Sequence, residues 1–202
     1  MLVCSGANLV FLAVPKTGTT AIEVALLPHA DIVFGKHRKH MTARRYYKAI
    51  APFLADTLNI RPQTMAVIRN PTDRLRSWYR YRARGDTDAP DLSTAHLSFD
   101  EFIQDVIRDD PPPYAQIGNQ HRFLCDNDGN LLGDHLFAYE RQVTLRGFLC
   151  DRFETELVFK QKNVSPDIPA PISPAVEAAL RAARASEFAL HARALEAGQL
   201  VR

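Results

Sequence analysis

Two stretches of this 202-residue chain concentrate side chains suited to chemistry. The first is Pro15-Lys16-Thr17-Gly18-Thr19-Thr20, which joins a continuous apolar run to an amphipathic one. A helix start presents unpaired backbone N–H groups and a partial positive charge. Gly18 lets the backbone approach a ligand closely. Thr17, Thr19 and Thr20 add hydroxyl donors, and Lys16 adds a full positive charge. Together they form a cradle for a phosphate or similar oxyanion. A plain strand-to-helix turn with a solvated lysine is the bland alternative, and the flanking patterns favour the cradle. The triphosphatase pattern G-x-x-x-x-G-K-[ST] is absent: the only Gly-Lys, Gly35-Lys36, is followed by His37 and has no glycine five residues earlier. No acidic partner for magnesium stands at a strand end, so a metal-free anion transfer is expected.

The second stretch runs from Arg69 to Ser77. Arg69 follows an apolar run, Pro71 breaks it, and Ser77 falls on the second turn of the next helix. Arg74 and Ser77 are three apart and share a face. An arginine fork with a serine hydroxyl suits a second phosphate. Arg76, Arg80, Arg82 and Arg84 read as a basic solvated face.

Hydrophobic period gives the elements that must position these residues. Residues 1–14 are apolar, lack a basic leader and run into the Pro-Lys-Thr-Gly turn, so they read as core strand and not as a signal peptide. Within them, 8–14 is the buried strand proper. Helices are predicted over 17–27, 42–58 (capped by Thr42) and 72–84, with strands over 31–34 and 64–68. That β-α-β-α-β-α order predicts a parallel sheet with right-handed crossovers. Ligands of such sheets gather at the carboxyl ends of the strands, where Lys16 and Arg69 both fall. Beyond residue 85 the pattern is less regular. It gives a loop over 86–97, a helix over 98–109 with a Ser98/Glu101 capping box, a rigid break at 111–113, and a hairpin over 122–132. A strand over 135–139, a helix over 140–153, a proline-rich loop over 163–174 and Ala/Leu-rich helices over 174–200 complete it. Asp126–Asn130 resembles the opening of a calcium loop, but Leu131 stands where that loop requires glycine and no glutamate follows at its twelfth position.

Composition bounds the class. Hydrophobic residues are 46% and charged residues 24%, which excludes a disordered chain. No apolar stretch approaches the roughly 20 residues that span a bilayer. Cys4, Cys125 and Cys150 are an odd number without CxxC spacing, which argues against a disulfide framework or a zinc site and fits a reducing compartment. The length fits one domain, 1–202. Net charge is +2, but residues 1–85 carry +10 and residues 86–202 carry −8. The N-terminal part is therefore expected to face an anion.

At these residues the sequence resembles a known family. Pro-Lys-Thr-Gly-Thr-Thr after a strand, paired with Arg-Asn-Pro-Thr-Asp-Arg-Leu-Arg-Ser-Trp-Tyr after a later one, resembles the two nucleotide motifs of sulfotransferases that use 3′-phosphoadenosine 5′-phosphosulfate (PAPS). The resemblance covers 8–80 well and extends weakly into the later stretches. It implies a three-layer α/β sandwich with a mainly parallel sheet, of the P-loop-like sulfotransferase type, with 1–85 as the nucleotide-binding core. It implies that Lys16, Thr17, Gly18, Thr19 and Thr20 hold the 5′-phosphosulfate and that Arg69 and Ser77 hold the 3′-phosphate. The family's base, a His or Glu after the second strand, corresponds here to His40 at the entrance to the next helix, with His37 as runner-up and Glu23 weaker. Neighbouring cations lower a histidine pKa and keep the base neutral. Lys160, Lys162, Asn163 and Ser165 are candidates for the loop that closes over the nucleotide. The implied activity is sulfuryl transfer from PAPS to a hydroxyl of a sugar, a lipid-linked saccharide or a small alcohol, without metal and in the cytoplasm. The alternatives are a nucleotide-binding homologue without activity and a nucleic-acid-binding module, since both basic stretches interleave cations with aromatics.

Overall fold

The computed structural model describes residues 1–84, 90–160 and 168–202, the side chains of His37 and Pro90 excepted. Strands β1 (Leu2–Cys4), β2 (Leu9–Leu12), β3 (Ile32–Val33), β4 (Gln63–Ile68), β5 (His135–Ala138) and β6 (Gln199–Val201) form one sheet in the order β3-β1-β2-β4-β5-β6. The neighbours β2, β4 and β5 are parallel. β1 is antiparallel to both β2 and β3, and β6 is antiparallel to β5. The sheet is therefore mixed: its centre is parallel as expected, and its antiparallel edges correct the expected mainly parallel sheet.

The correction has local causes. The apolar start is two strands, because Ser5-Gly6-Ala7-Asn8 turns the chain back. Asn8 N–H donates to the Ser5 carbonyl at 2.9 Å, with Asn8 at φ +49°. Asparagine tolerates that left-handed conformation better than most residues. β1 thus inserts between β2 and β3. At the far edge, Gly198 at φ +73° ends the last helix and releases β6, so the described residues of 86–202 supply a second strand beside the one expected.

The helices are α1 (Thr19–Leu26), α2 (Ala43–Arg45), α3 (Ala51–Leu58), α4 (Pro71–Arg82), α5 (Phe99–Val106), α6 (Gln120–Leu124), α7 (Gln142–Phe153), α8 (Pro174–Ala183) and α9 (Ala185–Ala197). The helix expected over 42–58 is interrupted by a π turn at Tyr46–Ile50, just before Pro52, which has no N–H to continue the ladder. Thr42 caps it as expected, accepting from Arg45 N–H. The capping box at Ser98 and Glu101 is formed in both directions. The hairpin expected over 122–132 is instead α6 followed by a single bridge between Cys125 and Leu131, closed around Gly129 at φ +86°.

Helices cover both faces of the sheet. Leu2, Leu9, Phe11, Met65, Val67 and Phe137 meet Ile22 and Leu26 of α1 and Leu145 and Leu149 of α7. On the other face Val10, Leu12, Ala66, Ile68 and Leu136 meet Tyr46, Leu54, Leu124 of α6 and Leu190 of α9. Burying a Leu or Phe of this kind contributes about 1.5–3 kcal/mol. A third apolar cluster joins Leu75 and Tyr79 of α4 to Phe99, Phe102 and Ile103 of α5 and Leu180 of α8. It holds α4 from the side remote from the sheet. Among the described residues no helix is long and apolar enough to cross a membrane.

Candidate functional site

The carboxyl ends of the central strands open onto a cleft of about 880 Å³ lined by the turn after β2, α4, the start of α7 and the loop that carries His40. Lys16 and Gly18 adopt φ +68° and +75°. Two left-handed residues in three bend the chain sharply from β2 into α1, and a lysine in that conformation is strained. Gly18 is needed twice over, because a Cβ there would also lie 2.8 Å from the Tyr139 ring. The N-cap residue Gly18 has no side chain to cap α1, and Gly18, Thr19 and Thr20 line the cleft beside it. The turn therefore offers helix-start N–H groups and a positive dipole end to an anion. Thr17 departs from the expectation. Its buried hydroxyl donates to the Val14 carbonyl at 2.9 Å and so stitches the turn to the strand end.

The Lys16 ammonium rests 3.6 Å from the centroid of Tyr81 and 5.0 Å from that of Trp78. Both aromatics belong to α4. Burial, followed by the nearby cations Arg84, Arg82, Arg69 and Lys39, lowers its pKa to about 7. A bound anion would relieve that repulsion and hold the lysine charged. Leu75 and Tyr79 of α4 are buried in the third apolar cluster, Trp78 packs against it while also lining the cleft, and Tyr81 lines the cleft. Two aromatics three apart on one helix were the available signal.

Arg69 lies just past the end of β4. Its guanidinium donates to the Lys16 carbonyl at 3.4 Å and stands 4.6 Å from the centroid of the Tyr139 ring. The two motifs, 53 residues apart, therefore meet. Ser77 lines the same cleft. Arg74 does not join it: the side chain is buried, donates to the Gly118 carbonyl and pairs with buried Glu187 at 3.4 Å. Its expected role beside Ser77 in holding a phosphate is thus corrected to a structural one. Nor are the other α4 arginines a merely solvated face. Arg76 and Arg80 line the cleft and donate to the carbonyls of Ala170 and Ile168 at 3.0 and 2.8 Å, tying the segment before α8 to α4. Arg76 also pairs with Asp73. Arg84 lines the cleft, whereas Arg82 donates to the carbonyls of Pro113 and Tyr114.

His40 sits at the rim of the cleft, open to solvent on one side. Its Nδ1 lies 2.7 Å from the Ala13 carbonyl, which can only accept. Nδ1 therefore carries the proton, and Nε2 holds the lone pair a base needs. Partial burial lowers the His40 pKa, Lys39 adds to it, and the bond to Ala13 opposes them. His37 lies on the short turn Lys36–Arg38, and its side chain is outside the described residues. Glu23 is bound to Lys39 at 3.2 Å, which fixes the residue before His40. Of the closing-loop candidates, Lys160 is exposed, while Lys162, Asn163 and Ser165 lie outside the described residues.

The site as a whole can bind a polyanion at Lys16, the start of α1 and Arg69, and can accept a proton at His40. No protein-family model matches the chain, and no curated protein sequence matches it either.

Proposed function

We propose that this chain transfers the sulfuryl group of PAPS to a hydroxyl acceptor. The observation that carries the reading is the meeting of the two motifs: Arg69 hydrogen-bonds the backbone of Lys16, and both line one cleft with Ser77 and His40. The donor set fits such a ligand. Burial and, after it, the surrounding cations depress the Lys16 pKa, and a bound polyanion would offset both by holding the lysine charged.

When bound, PAPS supplies the sulfuryl group and a bisphosphate leaving group. Lys16 and the first turn of α1 hold the phosphosulfate end, and Arg69 and Ser77 hold the 3′-phosphate. Gly18 gives the anion room to approach the backbone. His40 Nε2 takes the acceptor proton, and the Ala13 carbonyl keeps the ring in the tautomer that can do so. Lys16 opposes the negative charge that grows on the leaving oxygen. The work of the protein is thus positioning and electrostatics. The acceptor alcohol, whether sugar, lipid-linked saccharide or small molecule, approaches across the exposed His40 rim.

The test is thermal unfolding with and without adenosine 3′,5′-bisphosphate, on the wild type, Lys16→Ala and Arg69→Ala. At a hundredfold excess over its dissociation constant a ligand adds about 2.7 kcal/mol. For a chain of this length that raises the midpoint by roughly 5–10 °C. A rise in the wild type that is lost in both variants is expected. No rise at millimolar bisphosphate, together with salt-sensitive binding of random oligonucleotides, would replace this reading with the nucleic-acid one.

A further inference from the structure

We infer that Gln120 is a positioning residue of this site, which sets the affinity for the nucleotide 3′-phosphate by clamping the backbone of Arg69. The inference rests on the sulfotransferase reading. β4 and β5 stay in register only as far as Ile68 and Ala138. Arg69 lies one residue beyond, so its peptide groups have no strand to pair with. The Gln120 carboxamide replaces that strand. Its Oε1 accepts from Arg69 N–H at 3.0 Å, and its Nε2 donates to the Arg69 carbonyl at 2.8 Å. Gln120 is 1% exposed, so water does not compete for these bonds.

The clamp is itself held. Gln120 N–H donates to Glu187 Oε1 at 3.0 Å. The same peptide is held from its other side, because Asn70 N–H donates to Glu140 Oε1 at 2.8 Å. The other oxygen of Glu140 lies 3.0 Å from His191 Nε2. Glu187 and His191 are four apart on α9 and both are buried, so one face of that helix backs both clamps. The Asn70 side chain then caps α4, and Pro71 begins it. With three backbone polar groups of residues 69–70 held, the root of the Arg69 side chain is fixed, and its guanidinium stands between the Lys16 carbonyl and the Tyr139 ring. A side chain held this way loses less freedom when it binds an anion.

The experiment is a calorimetric comparison of two ligands, adenosine 3′,5′-bisphosphate and adenosine 5′-phosphosulfate, which lacks the 3′-phosphate. Wild type, Arg69→Ala, Gln120→Met and the double variant are titrated. Methionine keeps the volume of glutamine, and circular dichroism checks the fold. In Gln120→Met the bisphosphate affinity is expected to fall about tenfold, with the phosphosulfate affinity unchanged within twofold. In the Arg69→Ala background the same substitution should change neither ligand further. Glu140→Ala, at a side chain 32% exposed, tests the second clamp if Gln120→Met does not fold, and a smaller loss confined to the bisphosphate is expected there. Equal losses for both ligands, or an unchanged ratio in folded Gln120→Met, would overturn the inference and leave the function standing. A wild type that binds neither nucleotide would overturn both.

Discussion

The cradle turn and the Arg69 turn flank one cleft but are held by different kinds of contact. The cradle is fixed from nearby: Thr17 bonds a carbonyl three residues back, and the sharp bend follows from the left-handed Lys16 and Gly18. The Arg69 turn is fixed from far away, by Gln120 at a separation of 51 residues and Glu140 at 70, each backed by α9. Local contacts form with little loop-closure entropy, whereas remote ones need the whole fold. The two ends of the site should therefore fail differently.

The largest effect is expected at the remote end. Glu187 is fully buried between Arg74 and Arg184, which it meets at 3.4 and 3.2 Å. Glu187→Ala leaves both guanidinium groups buried without that partner. Breaking a buried pair in this way costs about 3–5 kcal/mol. At this chain length the midpoint of thermal unfolding should fall by roughly 6–20 °C. Thr17→Ala, the matching cut at the local end, removes one hydrogen bond and should cost about 1 kcal/mol. Equal losses for the two variants would break the comparison.

His40 sharpens the comparison from the chemical side. Its exposed ring bonds the Ala13 carbonyl, and among the described residues no second hydrogen bond holds it, so His40→Ala should leave the unfolding midpoint near the wild-type value while slowing transfer by about 10²–10⁴. The pH profile carries a second readout. The base must be neutral, and burial lowers its pKa below the ordinary 6.5. The acid limb of kcat/KM should therefore lie below pH 6.5. An acid limb at or above that value, or full activity in the folded variant, would assign the base elsewhere.

Much of this contrast was readable in the sequence at one end only. Lys16 and Gly18 were found because a strand, a glycine turn and a helix start occupy adjacent positions, and adjacency is what a sequence displays; Arg69 and Ser77 could be named from a strand end and a helix start, but not what holds them. Arg74 was misassigned because three residues on a helix leave it at the edge of the face that Ser77 occupies. Its inward partners, the Gly118 carbonyl 44 residues away and Glu187 113 residues away, are what turn it. Gln120 carried no signal at all, since a buried glutamine becomes a clamp only through the peptide it meets. The hairpin of β1 and β2 had its signal in Gly6 and Asn8 within an otherwise apolar run. β6 is too short, at three residues, to show any period, and its pairing with β5 decides it.

Gly18→Ala separates geometry from charge at the local end. The φ of +75° costs an alanine about 1 kcal/mol, and the 2.8 Å approach to Tyr139 adds an overpacking cost of about 1–3 kcal/mol. A midpoint lowered by roughly 4–16 °C is expected. Adding Tyr139→Leu should recover the overpacking part and leave the backbone part. If the second substitution recovers nothing, the close approach is not what excludes a side chain at this position.

The last effect is a proton. In the empty protein Lys16 has a pKa of about 7, against an ordinary 10.5. Between those values the unfolded chain holds a proton that the folded chain lacks. The stability of the empty protein should therefore rise with pH across that window. Anion binding works the other way, because it requires the charged lysine. Bisphosphate affinity should fall as pH climbs above about 7, by at most tenfold per unit, and binding at pH 8 should take up a proton. Titrations in two buffers of different ionisation enthalpy measure that uptake directly. In Lys16→Arg, where the charge persists, the uptake should vanish even if binding survives. A wild type that binds without proton uptake at pH 8 would mean that Lys16 stays charged on its aromatic seat despite its burial and the cations around it.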